Sequence, residues 1–261
     1  MVTNMKQKII KPAALSSKEI ELITRLEFEG KEIYTRREIA SFCGTKQKAD
    51  YLIRKLLKKK RLKAIVKNVY FFVPMKAPGG LWAGNEYLIA KALTRGAKYY
   101  IGYSSIFNSY GFTDQVAQQL HVINDKYSLR KTIFGIRYQL IKVRPDRIYG
   151  LETRKIKNED VSFPTRERAL IDAFEFYNAK TAFEILRNQA GKINQAAFIE
   201  SVAQYPVQKI RRRIGYFLEK LGINNKLLGK VKIGQTGYSP LYDTGSNKGK
   251  INKTWRIIIN G

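Results

Sequence analysis

The apolar positions of residues 45–61 recur at intervals of three and four, which is the spacing of one face of a helix. The stripe consists of Ala49, Leu52, Ile53, Leu56 and Leu57. Because an α-helix has 3.6 residues per turn, these side chains would share one side and pack against other elements. Thr45 is the first residue of the segment and is predicted to cap the helix.

Two further helices are predicted before this segment. Ser16 or Ser17 precedes a helical pattern with Glu19 in its first turn, and Gly30 is expected to end it. The buried face of that helix is expected to contain Ile20, Ile23, Leu26 and Phe28. The string "EIYT" follows as a short strand, and "RREIASFCG" as a second helix that ends at Gly44.

Two strand-like runs, "RLKAIVKN" and "VYFFVP", follow residue 60 and meet at a turn at Lys67 and Asn68. This order of elements is typical of a winged helix-turn-helix, which consists of a helix, a strand, a helix, a tight turn, a helix and a hairpin. In that module the helix after the turn enters the major groove of DNA, and the hairpin can touch flanking phosphates. We therefore predict a winged helix-turn-helix DNA-binding domain at 16–74, after a flexible basic lead at 1–15.

The remainder of the chain predicts a second domain. Prolines and glycines in "VPMKAPGG" mark a linker at 75–81. Residues 82–261 then mix strand-like runs such as "QLHVIND" and "KTIFGIRYQLIKV" with helical patterns such as "TRERALIDAFEFY" and "VQKIRRRIGYFLEKLG". The predicted fold class is α/β (α+β), with an N-terminal winged helix-turn-helix followed by a mixed α/β C-terminal domain.

The net charge of the chain indicates which class of molecule it binds. Lys and Arg number 49 and Asp and Glu 21, so the formal net charge is +28, while 44% hydrophobic residues indicate a globular chain. Nucleic acid is the first candidate for an acidic partner and a membrane surface the second. A single cysteine and the lack of a long apolar run predict a cytoplasmic protein that does not enter a membrane.

The predicted DNA interface centres on residues 45–61, where eight Lys or Arg side chains accompany one carboxylate, Asp50. Gln, Lys and Arg can read base edges, and lysines can neutralise phosphates. The predicted DNA-binding residues are Arg36, Arg37, Thr45, Lys46, Gln47, Lys48, Tyr51, Arg54, Lys63, Lys67 and Asn68. The run at 58–61 has either a solvated role or one that complements the helix dipole.

Two groups of charged residues in the second domain have alternative interpretations. Arg166, Arg168 and Asp172 share a largely apolar helix, where they could form ion pairs or a contact surface. The successive residues Arg211, Arg212 and Arg213 are interpreted first as a solvated face. The alternative for these three arginines is a secondary basic patch that contacts DNA.

Residue types argue against an enzyme. Asp146 and Glu152 loosely resemble the carboxylates of metal-dependent nucleases, but Arg154 stands where a lysine is expected. "TGSNKGKI" at 244–251 lacks the spacing of a phosphate-binding loop. His121 and Cys43 are each the only residue of their type, which argues against a zinc site and against a Cys–His nucleophile pair. We predict no catalytic residues, no metal and no cofactor, and a packed position for His121.

Several strings resemble a known family when they are taken together and in order: "GYSSIFNSYGFTDQ", "SFPTRERALIDAF", "RRRIGYFLEKLG" and "TWRIIIN". After a winged helix, they resemble the AbiEi-type antitoxins, transcriptional regulators of bacterial abortive-infection (type IV) toxin–antitoxin systems. The resemblance covers most of residues 16–260. The family's expected glycine in the hairpin turn is replaced in "VKNVYF", where Asn68 can adopt the same left-handed conformation.

The resemblance implies a repressor of its own operon that binds an inverted-repeat operator in double-stranded DNA. It also implies that the C-terminal domain, residues 82–261, is antitoxin-like and counteracts a functional partner, a nucleotidyltransferase-like toxin, without a need for a stable complex. Inverted repeats would suit cooperative binding or a dimer on DNA. The alternatives are a metal-dependent nuclease with a DNA-binding winged helix, or a protein-interaction module without DNA readout.

Overall fold

The computed structural model describes residues 14–77, 82, 84–223, 226–232, 237–243 and 248–260. Most of the predicted lead and linker, and positions 244–247 of the Gly-rich string, lie outside the described residues. The chain divides into two compact units. The first comprises Met1–Gly96 with Ile133–Gly135 and Ile156–Glu159, and the second comprises the rest.

The first unit contains four helices and three strands in its described part. These are α1 (Ser17–Glu29), β1 (Ile33–Thr35), α2 (Arg36–Cys43), α3 (Lys46–Lys58), β2 (Leu62–Val66), β3 (Val69–Phe72) and α4 (Glu86–Thr94). The strands form an antiparallel sheet in the order β1-β3-β2. The elements predicted for 16–74 are present in the predicted order. The unit continues past 75–81 because α4 packs against β1 and β2.

Side-chain caps determine where the first three helices begin. The Ser16 hydroxyl accepts a hydrogen bond from Glu19 N, and the Glu19 carboxylate accepts one from Ser16 N at 2.6 Å, which completes a capping box. Thr35 caps α2 in the same way, and the Thr45 hydroxyl accepts from Lys48 N at the start of α3. Gly30 ends α1 in a left-handed conformation, with φ 67°. The predicted caps at Ser16, Gly30 and Thr45 are confirmed.

The core of the first unit forms between α1, α2, α3 and the sheet. The stripe predicted on α3 is confirmed, since its first four residues are buried and Leu57 is partly buried. The face predicted for α1 is partly wrong, because Ile20 is 50% and Phe28 82% exposed. The buried residues of α1 are Glu19, Leu22, Ile23 and Leu26. Glu19 can be buried because its carboxylate binds the Lys59 ammonium at 2.5 Å.

The rest of the chain forms mixed α/β structure, so the predicted mixed class is confirmed. Its strands are β4 (Tyr99–Gly102), β5 (Gln119–Asn124), β6 (Leu129–Ile133), β7 (Ile136–Lys142), β8 (Leu151–Ile156), β9 (Glu159–Pro164), β10 (Ser239–Pro240), β11 (Lys250–Asn252) and β12 (Ile257–Ile259). Its helices are α5 (Ser104–Phe107), α6 (Arg166–Phe176), α7 (Ala179–Gln189), α8 (Gln195–Gln204) and α9 (Gln208–Lys220). In the described residues of this part of the chain, 3₁₀ turns lie at Pro145–Arg147 and Lys226–Val231.

The largest sheet has the strand order β4-β5-β7-β6, in which β5 pairs with β7 in parallel and with β4 antiparallel. Asn124 is fully buried at the end of β5. Its amide group donates to the carbonyls of Tyr127 and Ile141, and its side-chain oxygen accepts from the backbone N–H groups of Lys126 and Tyr127. One side chain therefore satisfies four backbone groups where the chain leaves the strand.

Of the two interpretations of the charged residues on α6, the ion pair is correct for Arg168 and Asp172. Arg168 Nη1 lies 2.8 Å from the Asp172 carboxylate, and neither side chain is more than 1% exposed. Arg168 also donates to the hydroxyl of Tyr100 at 2.9 Å. Arg166 is half-buried and donates to the Gln189 side chain at 2.8 Å.

Burial overturns both interpretations of the arginine run on α9. Arg212 is 4% exposed and donates to Gly237 O and to the hydroxyl of Ser239. Arg213 is 1% exposed and forms two hydrogen bonds with the Asp243 carboxylate. These guanidinium groups attach α9 to residues 237–243, so they form neither a solvated face nor a DNA-binding patch. Arg211 is half-buried and donates to Lys230 O.

Across the described part of the chain, none of the helices combines the length and the apolar character that a bilayer crossing requires.

Candidate nucleic-acid interface

The α3 helix has one buried face and one polar face. The buried stripe fixes the rotation of the helix, because turning it would expose four core side chains to water. The residues that this rotation leaves exposed are Thr45, Lys46, Gln47, Lys48, Tyr51, Arg54, Lys55 and Lys58. Five of the predicted DNA-binding residues are therefore accessible on α3, and a sixth, Thr45, is accessible at its N-cap. The Lys55 ammonium lies 5.4 Å from the centre of the Tyr51 ring, so an aromatic and a cation are adjacent there.

Asp50 is the only carboxylate of α3, and a guanidinium neutralises it. Arg36 Nε and Nη2 donate to the two carboxylate oxygens of Asp50 at 2.6 and 2.5 Å. The hydrogen bond from Arg36 lowers the pKa of Asp50, and the same bond raises the pKa of Arg36. Arg36 was predicted to contact DNA, but its side chain is half-buried and engaged with α3. Arg37 is exposed, as a DNA contact requires.

The β2–β3 hairpin presents two of its three predicted contact residues. Lys67 and Asn68 are exposed at the turn, and Asn68 has the left-handed conformation expected for it, with φ 64°. Lys63 is half-buried, and its ammonium lies 4.5 Å from the centre of the Phe134 ring. Burial lowers the pKa of Lys63, with a smaller contribution from Lys60. Lys63 is consequently less accessible to a phosphate than Lys67.

A groove of about 830 Å³ lies between α1, α2 and the start of α3. Phe28, Phe42 and Tyr51 contribute aromatic surface, while Lys48 and Arg25 contribute cations. The sequence pattern does not predict this groove, because it places Phe28 on the buried face of α1, whereas the side chain is 82% exposed. The sequence does contain a signal for the exposure of Phe28. This residue follows the buried Leu26 by two positions on α1, which places it on the opposite side of the helix.

The residues considered for catalysis are occupied by other contacts. Asp146 pairs with Arg144, and Glu152 accepts a hydrogen bond from Arg154 at 2.7 Å. No group of three or more His, Cys, Asp or Glu residues that could hold a metal ion occurs among the described residues.

His121 lies in β5 at 3% exposure, so its predicted packed position is confirmed. Its Nδ1 is 3.1 Å from the hydroxyl of Ser104, and burial lowers its pKa.

Comparison with known proteins identifies a similar fold but no related protein of known function. No protein-family model matches the chain, and no curated protein sequence matches it. The crystal structure of the RV2827C protein from Mycobacterium tuberculosis is similar, with a TM-score of 0.63 and 14% sequence identity. The alignment covers 94% of this chain and 92% of that chain. At this identity the likeness concerns the fold alone.

Proposed function

We propose that this protein is a sequence-specific DNA-binding transcriptional repressor that acts as an AbiEi-like antitoxin. Its first unit is a winged helix-turn-helix in which α3 enters the major groove and the β2–β3 turn touches flanking phosphate. It autoregulates its operon by binding an inverted-repeat operator. The antitoxin role rests on the resemblance of the strings in the second unit, and the partner is a nucleotidyltransferase-like toxin.

The observation that carries the DNA-binding part is the exposed face of α3. Gln47 and Arg54 can form hydrogen bonds to base edges, and Lys46 and Lys48 can neutralise phosphates. The only carboxylate on this helix, Asp50, is already paired with Arg36. A face of this composition suits a polyanion better than a protein surface of mixed charge. The net charge of +28 favours the same class of partner.

The decisive experiment exchanges Lys46 and Lys48 for Glu in the full chain. Wild-type protein is first used to select duplexes from a randomised library, and binding to the selected duplex is then measured by gel shift. We expect Lys46→Glu with Lys48→Glu to abolish binding, while the thermal unfolding midpoint stays close to that of the wild type because both side chains are exposed. Unchanged binding by this variant would refute the assignment of α3.

A matched control separates a local effect from a general loss of positive charge. Lys180 and Lys192 are exposed residues of the second unit. Exchanging both for Glu changes the net charge by the same amount and leaves α3 intact. We expect this control to retain selective binding. An equal loss in both variants would indicate that total charge, and not the α3 face, drives the association.

The antitoxin part has its own test. Co-expression of the full chain with the product of a neighbouring nucleotidyltransferase-like gene should restore growth that the toxin alone arrests. The Lys46→Glu, Lys48→Glu variant should still restore growth, since the resemblance assigns neutralisation to the second unit. A failure of the wild-type chain to restore growth would leave a repressor without an antitoxin role.

A further inference from the structure

Arg36 connects two of the surfaces that are proposed to meet DNA. It is the first residue of α2 and directly follows β1, where Thr35 pairs with Val69 of β3. The backbone N–H of Arg36 donates to the carbonyl of Asn68 at 2.8 Å. The start of α2 is thus hydrogen-bonded to the turn of the hairpin.

The side chain of Arg36 extends from the same position to α3. Its two hydrogen bonds to Asp50 use both carboxylate oxygens, which fixes the direction of the guanidinium as well as its distance. Asp50 lies within one helical turn of Gln47 and Arg54, and the Arg54 side chain donates to Asp50 O at 3.3 Å. A displacement of Asp50 would therefore move residues on the exposed face.

We propose that Arg36 is a positioning residue for DNA binding. Through Asp50 it holds α3 at a fixed place relative to the hairpin turn, and it masks the one negative charge of α3, so it does not itself contact DNA. This inference rests on the proposed function. It replaces the role that the sequence suggested for Arg36, which was a direct contact with the duplex.

The masking has a simple electrostatic basis. The Asp50 side chain is 42% exposed and occupies the same helix as the cations proposed to approach phosphates. Without Arg36, a carboxylate would face the duplex, and juxtaposed like charges oppose association. Arginine suits this role because its guanidinium keeps its proton and presents a planar fork. Lysine could supply the charge but not the paired geometry.

The two parts of the proposal predict different measurements. Affinity for a scrambled duplex reports masking, and the ratio of affinities for the selected and scrambled duplexes reports positioning. Arg36→Ala should weaken binding to the scrambled duplex by about tenfold, and adding Asp50→Asn should restore it. The ratio should fall in Arg36→Ala, in Asp50→Asn and in the double variant. Arg36→Lys should keep the affinity for the scrambled duplex, while its ratio of affinities for the selected and scrambled duplexes should fall.

Salt dependence separates positioning from direct contact. If Arg36 neutralised a phosphate, its removal would reduce the slope of log affinity against log salt by about 0.9, and Asp50→Asn would not restore the affinity. That result would overturn the proposal. Under the proposal the double variant has the wild-type slope. Arg187→Ala is the control, because Arg187 pairs with Glu184 on α7 in the second unit and its removal leaves α3 untouched.

The experiment also distinguishes this inference from the proposed function. A wild-type chain that binds no duplex would refute both. Selective wild-type binding combined with a double variant as weak as Arg36→Ala would refute only the role of Arg36. Should Arg36→Ala fail to fold, Arg36→Lys and Asp50→Asn carry the test, and an unchanged ratio in both would overturn positioning.

Discussion

Arg168 and Asp172 form an ion pair one helical turn apart on α6, with Nη1 and Oδ1 separated by 2.8 Å and both side chains at most 1% exposed. The pair is further held by Tyr100, whose hydroxyl donates to Asp172 and accepts from Arg168. A buried pair of this kind fixes the position of α6 against β4. Its importance is structural, because within the described residues neither side chain is more than 1% exposed.

Breaking this pair should destabilise the second unit strongly. Asp172→Ala leaves the Arg168 guanidinium buried without a counter-charge, and we expect a loss of about 3–5 kcal/mol in the free energy of unfolding. Urea unfolding measures it. Replacing both residues by apolar ones, Arg168→Met with Asp172→Leu, should cost less than the single change. A double variant that is less stable than Asp172→Ala would show that the charges themselves stabilise the unit.

DNA binding should depend steeply on salt. If the exposed cations of α3 and the hairpin turn engage six or more phosphates, affinity should drop about 10³-fold or more between about 50 and 200 mM salt, because bound counterions are released. Fluorescence anisotropy with a labelled duplex gives the slope. A flat response would indicate that the positive face meets a protein and not a nucleic acid.

The first unit should lose stability at low pH through Glu19. Burial raises the pKa of Glu19, but hydrogen bonds from Lys59 and Ser16 outweigh it, so the pKa lies below the ordinary 4.5. A carboxyl group with a lowered pKa stabilises the folded state above its unfolded pKa, and this stability is lost as the pH falls through the folded pKa. Urea midpoints at about pH 6 and about pH 3 should therefore differ less in Glu19→Gln than in the wild type. An equal pH dependence in both proteins would contradict this role.

Two glycines offer a matched test of packing. A Cβ atom on Gly215 of α9 would lie 2.1 Å from the Trp255 ring, whereas one on Gly191 would have no atom within 4 Å. Gly215→Ala should cost at least about 1–3 kcal/mol because Trp255 is buried at 3% exposure and must move. Gly191→Ala should change stability by less than about 0.5 kcal/mol. Thermal unfolding compares the two, and equal midpoints would contradict the contact.

Local signals in the sequence were sufficient to predict most of the helices. Thr45 as a cap and Gly30 as a stop act within one turn, and the α3 stripe repeats at the helical period, so both are visible without the fold. Strand division was harder. The run "KTIFGIRYQLIKV" is two strands separated at Phe134 and Gly135, and β9 was not predicted, because alternation does not show where a chain reverses.

Charged residues were predicted least well, because their partners are distant in the sequence. Arg213 donates a hydrogen bond to the carboxylate of Asp243, thirty residues later in the chain. Arg36 donates to the carboxylate of Asp50, fourteen residues later. Lys59 belongs to the run at 58–61, for which the sequence suggests a solvated or dipole-complementing role. Its ammonium instead donates a hydrogen bond to the carboxylate of Glu19, forty residues earlier in the chain. A basic run shows how much charge is present, whereas only the tertiary structure shows which cations are free for a ligand. The exposed cations of α3 were correctly placed because the apolar stripe fixed the opposite face.

The four hydrogen bonds of the Asn124 amide have a consequence for how the large sheet is assembled. The Nδ2 group links Tyr127 to Ile141 by donating to both carbonyls, while the side-chain oxygen accepts from two backbone N–H groups of the following turn. Aspartate would lose the donated bonds, and leucine would lose all four. A slip of β5 against β7 by one residue would move the amide away from Ile141 and would turn Leu120 and Val122 to the opposite face. Asn124 therefore fixes the register of β5 against β7, because its hydrogen bonds form in only one alignment of these two parallel strands.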